Sequence, residues 1–294
     1  MFLAVADNSS FTLAGRQLNV AQSAVSRKIK ILEVELGESL FRRINKRVYL
    51  TQAGETLAHR ARKVFSELRI AAMEVSDVAG LVRGRVKIGA GLTACMYLLP
   101  PVLEQFKKRY PKVELVVVTG TTAGLLEQVR NNVLDLGIFT LPIHFSDLEV
   151  IPFCAEELVV VSSVHHPQLA QRRSIRAAEI AQYPLILFSK ATTTRALLDE
   201  FFRRIGIQPT VLMESENVAT IKPLVAINLG ITIIPLPAVL AEARRKELHY
   251  VHIRDHILTR HIGLAFPKFD QQPKIVAELV QLFEQVHQDL PYRI

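Results

Sequence analysis

Cysteine is nearly absent: the 294 residues hold only Cys95 and Cys154. Two thiols without metal-ligand spacing build neither a disulfide framework nor a metal site, and they fit a reducing cytoplasm. Long apolar runs are missing too. The longest uncharged stretch, Pro223 to Ala241, contains Asn228, Gly230, Pro235 and Pro237. Those residues break a membrane helix and leave a core helix followed by a strand, so no membrane association is expected. The first residues do not read as a signal peptide. No P-loop, dinucleotide fingerprint or nucleophile elbow is present, so no catalytic residue, cofactor or metal site is assigned. What is there is a chain of about two-domain length, 49% apolar, with 36 Lys and Arg against 28 Asp and Glu.

Ser10 to Glu33, SFTLAGRQLNVAQSAVSRKIKILE, reads as two short helices joined by a tight turn. Leu13, Ala14 and Leu18 take helical spacing on the first helix, and Asn19 suits the turn. Val25, Ile29 and Leu32 recur at i, i+4 and i+7, the buried face of the second helix. Gln22, Ser23, Ser26, Arg27 and Lys30 fall on the opposite face. Such a face suits the DNA major groove, because Arg and Gln make bidentate contacts to base edges while Ser and Lys reach bases or phosphates. An ordinary amphipathic helix with a solvated polar face fits the same spacing.

Leu40 to Leu50, LFRRINKRVYL, is a strand–turn–strand pattern with Arg42, Arg43, Lys46 and Arg47 around Asn45, the composition of a basic wing. From Arg16 to Arg47 there are eight Lys or Arg against three Glu, a local +5 out of +8 for the chain. Positive charge concentrated on a short module is the footprint expected for a polyanion partner.

The combination resembles the LysR-type transcriptional regulators. The resemblance rests on Ser10 to Ala14, Leu18, Val20, Gln22 to Arg27, Ile29, Leu32-Glu33, Leu36-Gly37, Leu40 to Arg43 and Leu50 to Gly54. It is dense to about residue 66 and weaker to the C-terminus. It implies DNA contacts from Gln22, Ser26 and Arg27, phosphate contacts near Arg42 and Arg43, and Thr51 at the wing's end. Two departures stand out. Ala21 replaces the Ser or Thr usual before the recognition helix, which removes a cap at a cost of about 1 kcal/mol. Phe2 to Ala6 reads as the C-terminal half of a first helix, so the expectation is a truncated N-terminus.

After Thr51, Leu57, Ala61, Val64, Leu68, Ala71, Val75 and Val78 alternate in steps of four and three, a coiled-coil seam of three heptads ending at Gly80, with Gly84 in a hinge. The narrow seam favours self-association over a helix packed on its own domain. From Val86 onward strands alternate with helices, ending in a helix from Lys274 to Gln288. That pattern implies parallel sheets with helices on both faces, in two subdomains around a cleft. The expected layout is a winged helix-turn-helix at 1–51, a linker helix and hinge at 52–83, and an effector module at 84–294. The overall class is α/β with a mainly-α N-terminal part and a periplasmic-binding-protein-like module. Within the module, subdomain I takes 84–162 plus 266–294 and subdomain II takes 163–265, with crossovers near Ser162 and Phe266.

In such folds ligands bind at strand C-termini and helix N-termini. Thr93, Thr121, Thr122, Thr140, Ser189 and Thr192 stand at those turns, Asn217 suits a cap, and Arg195 suits a carboxylate. Taken singly, each hydroxyl reads better as a helix cap; the ligand reading comes from their convergence on one cleft, which the resemblance implies. Cys95 falls in the first turn of a helix, where a thiol pKa can drop, and a redox role stands beside a buried structural one. His165-His166, Arg172-Arg173 and Arg244-Arg245-Lys246 read as loop and solvated surface. The partners implied are double-stranded DNA at a promoter inverted repeat, a small anionic effector and a second copy of the chain. A homotetramer and RNA polymerase contact stay open. An enzyme built on the α/β module lacks a paired base in the cleft turns, and an architectural DNA-binding protein leaves the cleft without a role.

Overall fold

The computed structural model describes residues 1–45, 47–78, 84–268 and 274–288, the side chains at 69, 70, 73–78, 287 and 288 excepted. Two compact units divide it. The first contains α1 (Phe2–Asn8), α2 (Phe11–Gln17), α3 (Gln22–Leu36), β1 (Phe41–Ile44), β2 (Arg47–Leu50) and α4 (Gln52–Val78). Ser10 caps α2, its hydroxyl accepting from the Leu13 amide at 3.3 Å. Asn19 makes the turn with φ 53°, and Gly37 ends α3 in the left-handed region. Ala21 starts α3 without any side-chain cap. Val25 and Ile29 are buried with Phe2, Val5, Ala14, Leu40, Val48 and Ala58, while Leu32 packs at the edge of that core.

Leu13 and Leu18 do not join it: they are 47% and 38% exposed. The inner face of α2 is Ala14 and Gly15. A Cβ on Gly15 would stand 2.8 Å from the Val20 carbonyl oxygen, so only a small surface lets the turn fold back on α2. The wing is tied down by Glu33, whose Oε1 accepts from the Leu40 and Phe41 amides at 2.8 and 3.3 Å. β1 and β2 pair antiparallel from Phe41↔Leu50 to Ile44↔Arg47, with Asn45 at φ 48° in the turn; Lys46 lies outside the described residues. Gly54 lets α4 pass the wing, since a Cβ there would lie 2.1 Å from the Leu40 carbonyl oxygen.

The proposed seam on α4 divides in two. Leu57 is half-buried and packs against the core of its own unit, with Ala53 and Ala58. Ala61 is half-buried and Ala71 exposed. Val64 and Leu68 are 58% and 60% exposed, and Phe65, which the heptad pattern passes over, is 61% exposed. The side chains of Val75 and Val78, and Gly80 itself, lie outside the described residues. Gly84 does not sit in a hinge; it opens the first strand of the second unit.

That unit runs β3 (Gly84–Ala90), α5 (Leu92–Tyr97), α6 (Leu99–Arg109), β4 (Val113–Thr119), α7 (Thr122–Arg130), β5 (Leu136–Thr140), β6 (Leu148–Ser163), β7 (Ser174–Ile175), β8 (Leu185–Phe188), α8 (Thr193–Arg204), β9 (Val211–Ser215), α9 (Val218–Ala226), β10 (Thr232–Pro235), α10 (Leu240–Arg244), β11 (Leu248–Ile253), β12 (Thr259–Pro267) and α11 (Lys274–Gln288). The sheets are mixed, not purely parallel. β3 is parallel to β4 and β5, and β8 to β9, but β12 is antiparallel to β5 and β6, and β6 is antiparallel to β10 and β11. Two strands cross between lobes, one going and one returning, so they lie side by side in opposite directions. The crossing points differ from Ser162 and Phe266. β6 changes partner between Glu157, opposite Thr259 of β12, and Leu158, opposite Pro235 of β10. β12 gains β5 as a neighbour at Ile262. Ser162 pairs with His249 inside the second lobe, and Phe266 with Glu149 inside the first.

The missing cap yields a prediction. Ala21→Ser supplies an acceptor for the first-turn amides of α3 and stabilises that helix by about 1 kcal/mol. Hydrogen exchange of the α3 amides should slow roughly fivefold; unchanged exchange would mean the bare end is already satisfied.

Candidate nucleic-acid interface and ligand cleft

Helical periodicity turns the apolar side of α3 inward and leaves the other side bare. Gln22, Ser23, Arg27 and Lys30 are exposed and Ser26 half-buried; together with Ile31, Val34 and Glu35 they line one shallow trough along α3. Arg42, Arg43 and Arg47 on the hairpin are exposed as well. Arg43 holds its guanidinium 5.5 Å from the centroid of the Phe11 ring, which stiffens the long side chain. Among the described residues no carboxylate forms an ion pair with Arg27, Lys30, Arg42, Arg43 or Arg47. Thr51 differs from the DNA-facing expectation. Its hydroxyl donates to the Ser39 carbonyl at 2.6 Å and accepts from the Gly54 amide at 3.0 Å, so it joins the wing to α4.

In the second unit a cleft of about 360 Å³ gathers the starts of α5, α7, α8 and α9. Seven of the eight residues singled out from the sequence line it: Thr93, Thr121, Thr122, Thr140, Ser189, Thr192 and Asn217. Several are caps at the same time. Thr192 Oγ1 accepts from the Arg195 amide at 3.2 Å, Asn217 Oδ1 from the Ala219 amide at 2.7 Å, and Thr121 Oγ1 from the Gly124 amide at 3.3 Å. Capping places the hydroxyls at helix starts, and the sheet topology brings those starts together.

Arg195 is the exception. It does not line the cleft, and its Nε and Nη1 are taken up by protein groups. Nε donates to Asp199 Oδ1 at 2.7 Å, and Nη1 to the Phe188 carbonyl and Glu214 Oε1, both at 2.8 Å. Burial alone would lower its pKa, but the bonds to Asp199 and Glu214 outweigh it and hold the pKa above the ordinary value. The side chain therefore clamps α8 to β8 and β9.

The guanidinium that does reach the cleft belongs to Arg260, which sequence reasoning missed. It stands on β12 directly opposite Glu156 on β6, and both are buried. Arg260 Nε donates to Glu156 Oε2 at 2.5 Å and Nη1 to Thr194 Oγ1 at 3.1 Å. Glu156 Oε1 and the cleft-wall Ser189 Oγ are buried with no hydrogen-bond partner among the described residues. A signal was present: opposite charges open the apolar runs Leu158 to Val161 and Ile262 to Phe266. Cys154 lies two residues before Glu156. Burial first, and the Glu156 charge second, push its thiol pKa up to about 12. Burial raises the Cys95 pKa as well, and its Sγ bonds the Ala90 carbonyl at 3.6 Å, so the lowered thiol expected at this helix is not what forms. His166 Nδ1 accepts from the Gln168 and Leu169 amides at 3.2 Å, a loop-shaping role.

Two family models match the chain. One, described as "Bacterial regulatory helix-turn-helix protein, lysR family", covers residues 1–55, and the other, "LysR substrate binding domain", covers residues 79–288. The HTH-type transcriptional regulator YwqM of Bacillus subtilis is 33% identical over 257 residues, 85% of this chain and 86% of that protein. The HTH-type transcriptional activator CmpR of Synechocystis is 29% identical over 278 residues, 95% and 90% of the two chains. A full-length OxyR variant from Pseudomonas aeruginosa matches with a TM-score of 0.79 at 25% identity over 96% of this chain and 92% of its own. The regulatory domain of Synechocystis CcmR in complex with 2-PG matches at TM-score 0.64, 25% identity, 71% of this chain and 99% of that one. The effector-binding domain of QuiR in complex with shikimate matches at 0.62, 26% identity, 70% and 98%.

Replacing Arg195 separates its clamp from ligand binding. Arg195→Met should lower unfolding stability by about 1–3 kcal/mol, as expected when charged hydrogen bonds are lost to partly exposed partners. Chemical denaturation reads this; an unchanged midpoint would contradict the clamp.

Proposed function

The chain belongs to the LysR family of bacterial helix-turn-helix transcriptional regulators, and on that footing we propose how its two units share the work. α3 enters the major groove at a promoter inverted repeat, with Gln22, Ser23, Ser26, Arg27 and Lys30 toward base edges. Arg42, Arg43, Lys46 and Arg47 lie along the phosphates, and Thr51 holds the wing they ride on. The observation that carries this reading is the bare polar face of α3 beside hairpin cations that, among the described residues, no carboxylate neutralises.

The second unit takes a small anionic metabolite in its cleft, and occupancy changes how the chain acts on its promoter. Support comes from the convergence of four helix starts, whose free amides and dipoles favour negative charge. CcmR and QuiR, which share this architecture, were solved with 2-PG and with shikimate, both anions. Two copies join through the exposed Val64, Phe65 and Leu68 strip on α4, which presents two recognition helices to the two half-sites. The chain works in the cytoplasm; its two cysteines are both free thiols.

Three substitutions test the assignment on the chain's own upstream region. Arg27→Ala should relax base preference by about 1–3 kcal/mol at one position, whereas Arg43→Ala should weaken all sequences alike and flatten the log–log salt slope by about 0.9. Equal behaviour of the two variants would sink the division between base and backbone readers. Leu68→Lys should weaken dimerisation and DNA binding together, read by sedimentation and by fluorescence anisotropy; tight operator binding by a proven monomer would refute it.

A further inference from the structure

Building on the reading of the cleft as an anion site, we propose that it selects a small hydroxylated monocarboxylate. Arg260 takes the carboxylate, and Glu156 is the charge that turns dianions away.

The argument starts from a count of charges. Among the described residues the lining holds one guanidinium, Arg260, one carboxylate, the exposed Glu216, and nine Ser or Thr hydroxyls. Arg260 is bonded to Glu156 and Thr194 through two of its five N–H groups, which leaves three for a ligand. Two of those three sit on Nη2, and the third shares Nη1 with the Thr194 bond, so one edge of the fork can grip a carboxylate bidentately. Glu156 is fully buried against the guanidinium, and the pair is neutral as a unit. The remaining positive potential comes from the helix starts of α7, α8 and α9, partial charges of about +0.5 each. That suffices for one carboxylate. Glu156 already holds the Nε of the one guanidinium in the described lining, so a second negative charge would find no further cation there, only the exposed carboxylate of Glu216.

The hydroxyls point to the rest of the ligand. The side-chain hydroxyls of Thr93, Thr119, Thr122, Thr140, Ser189 and Thr193 make no hydrogen bond to described protein groups. Ser189 Oγ is buried in the wall without a partner. Hydroxyl groups donate and accept, so they match ligand hydroxyls in either sense. Phe139 and Phe188 supply an apolar face for a carbon skeleton. The volume of about 360 Å³ suits a molecule of that size.

Isothermal titration calorimetry on the full chain tests this with glycerate, gluconate and shikimate as hydroxylated monocarboxylates, and malate and 2-phosphoglycolate as ligands of higher charge. At least one monocarboxylate should bind more tightly than either of the latter two. Glu156→Gln should raise affinity for malate or 2-phosphoglycolate at least about tenfold, and Arg260→Gln should weaken the monocarboxylate by at least about tenfold. Because Arg260→Gln leaves Glu156 buried and unpaired, the uncharged double variant E156Q/R260Q is measured beside it and should show the same loss. Tighter wild-type binding of malate or 2-phosphoglycolate, or full monocarboxylate affinity in the double variant, overturns the proposal while leaving an anion site standing. If none of the five anions binds, the anion-site reading itself falls.

Discussion

Glu156 and Arg260 face each other where β6 and β12 pass from one lobe to the other, and the geometry of the cleft depends on that pairing. A buried ion pair adds little net stability, since desolvation offsets most of the attraction. Its larger effect is on register. A slip of one residue between β6 and β12 would turn one of the two charges to the opposite face, away from its partner and among the aliphatic side chains. With the register held, β5, β8 and their following turns deliver Thr140 and Ser189 to the cleft lining, and the caps Thr192 and Asn217 arrive with their helices.

The first unit solves a simpler problem by the same means. One stripe of α3 is buried and the other is left bare, so the side chains that could read a base edge need no special support. Precision comes from the surroundings: Gly15 lets the turn close, Glu33 holds the wing, and Gly54 lets α4 run past it. The uncapped start at Ala21 leaves the recognition helix weakest at the end nearest to Gln22 and Ser23.

Local patterns were legible in the sequence, and long-range pairings were not. β4 and α11 fall where their apolar patterns place them, and the hydroxyl-rich turns mark the cleft because capping is a local signal. Strand direction is not local: alternating β and α suggests parallel sheets, and nothing nearby in the sequence announces that β12 returns antiparallel beside β6. The same limit explains why Arg260 lines the cleft and Arg195 does not. Arg195 looked like the ligand cation because it follows three threonines, yet Asp199 is one turn along its own helix and Glu214 is on β9. Arg260 sits in a strand with no motif around it, and only the partner 104 positions away gives it meaning. Spacing places Leu57 on the α4 seam, and its half-buried side chain also packs against the core of its own unit.

The central claim is that filling the cleft changes what α3 does on DNA, a coupling between two sites that must be reciprocal. It is tested most directly by footprinting and equilibrium binding on the upstream region, with the cleft empty and with it saturated by the ligand that calorimetry identifies. The account predicts a changed protected region, or an affinity shift of about 5- to 150-fold. Identical protection and identical affinity in the two states would contradict it.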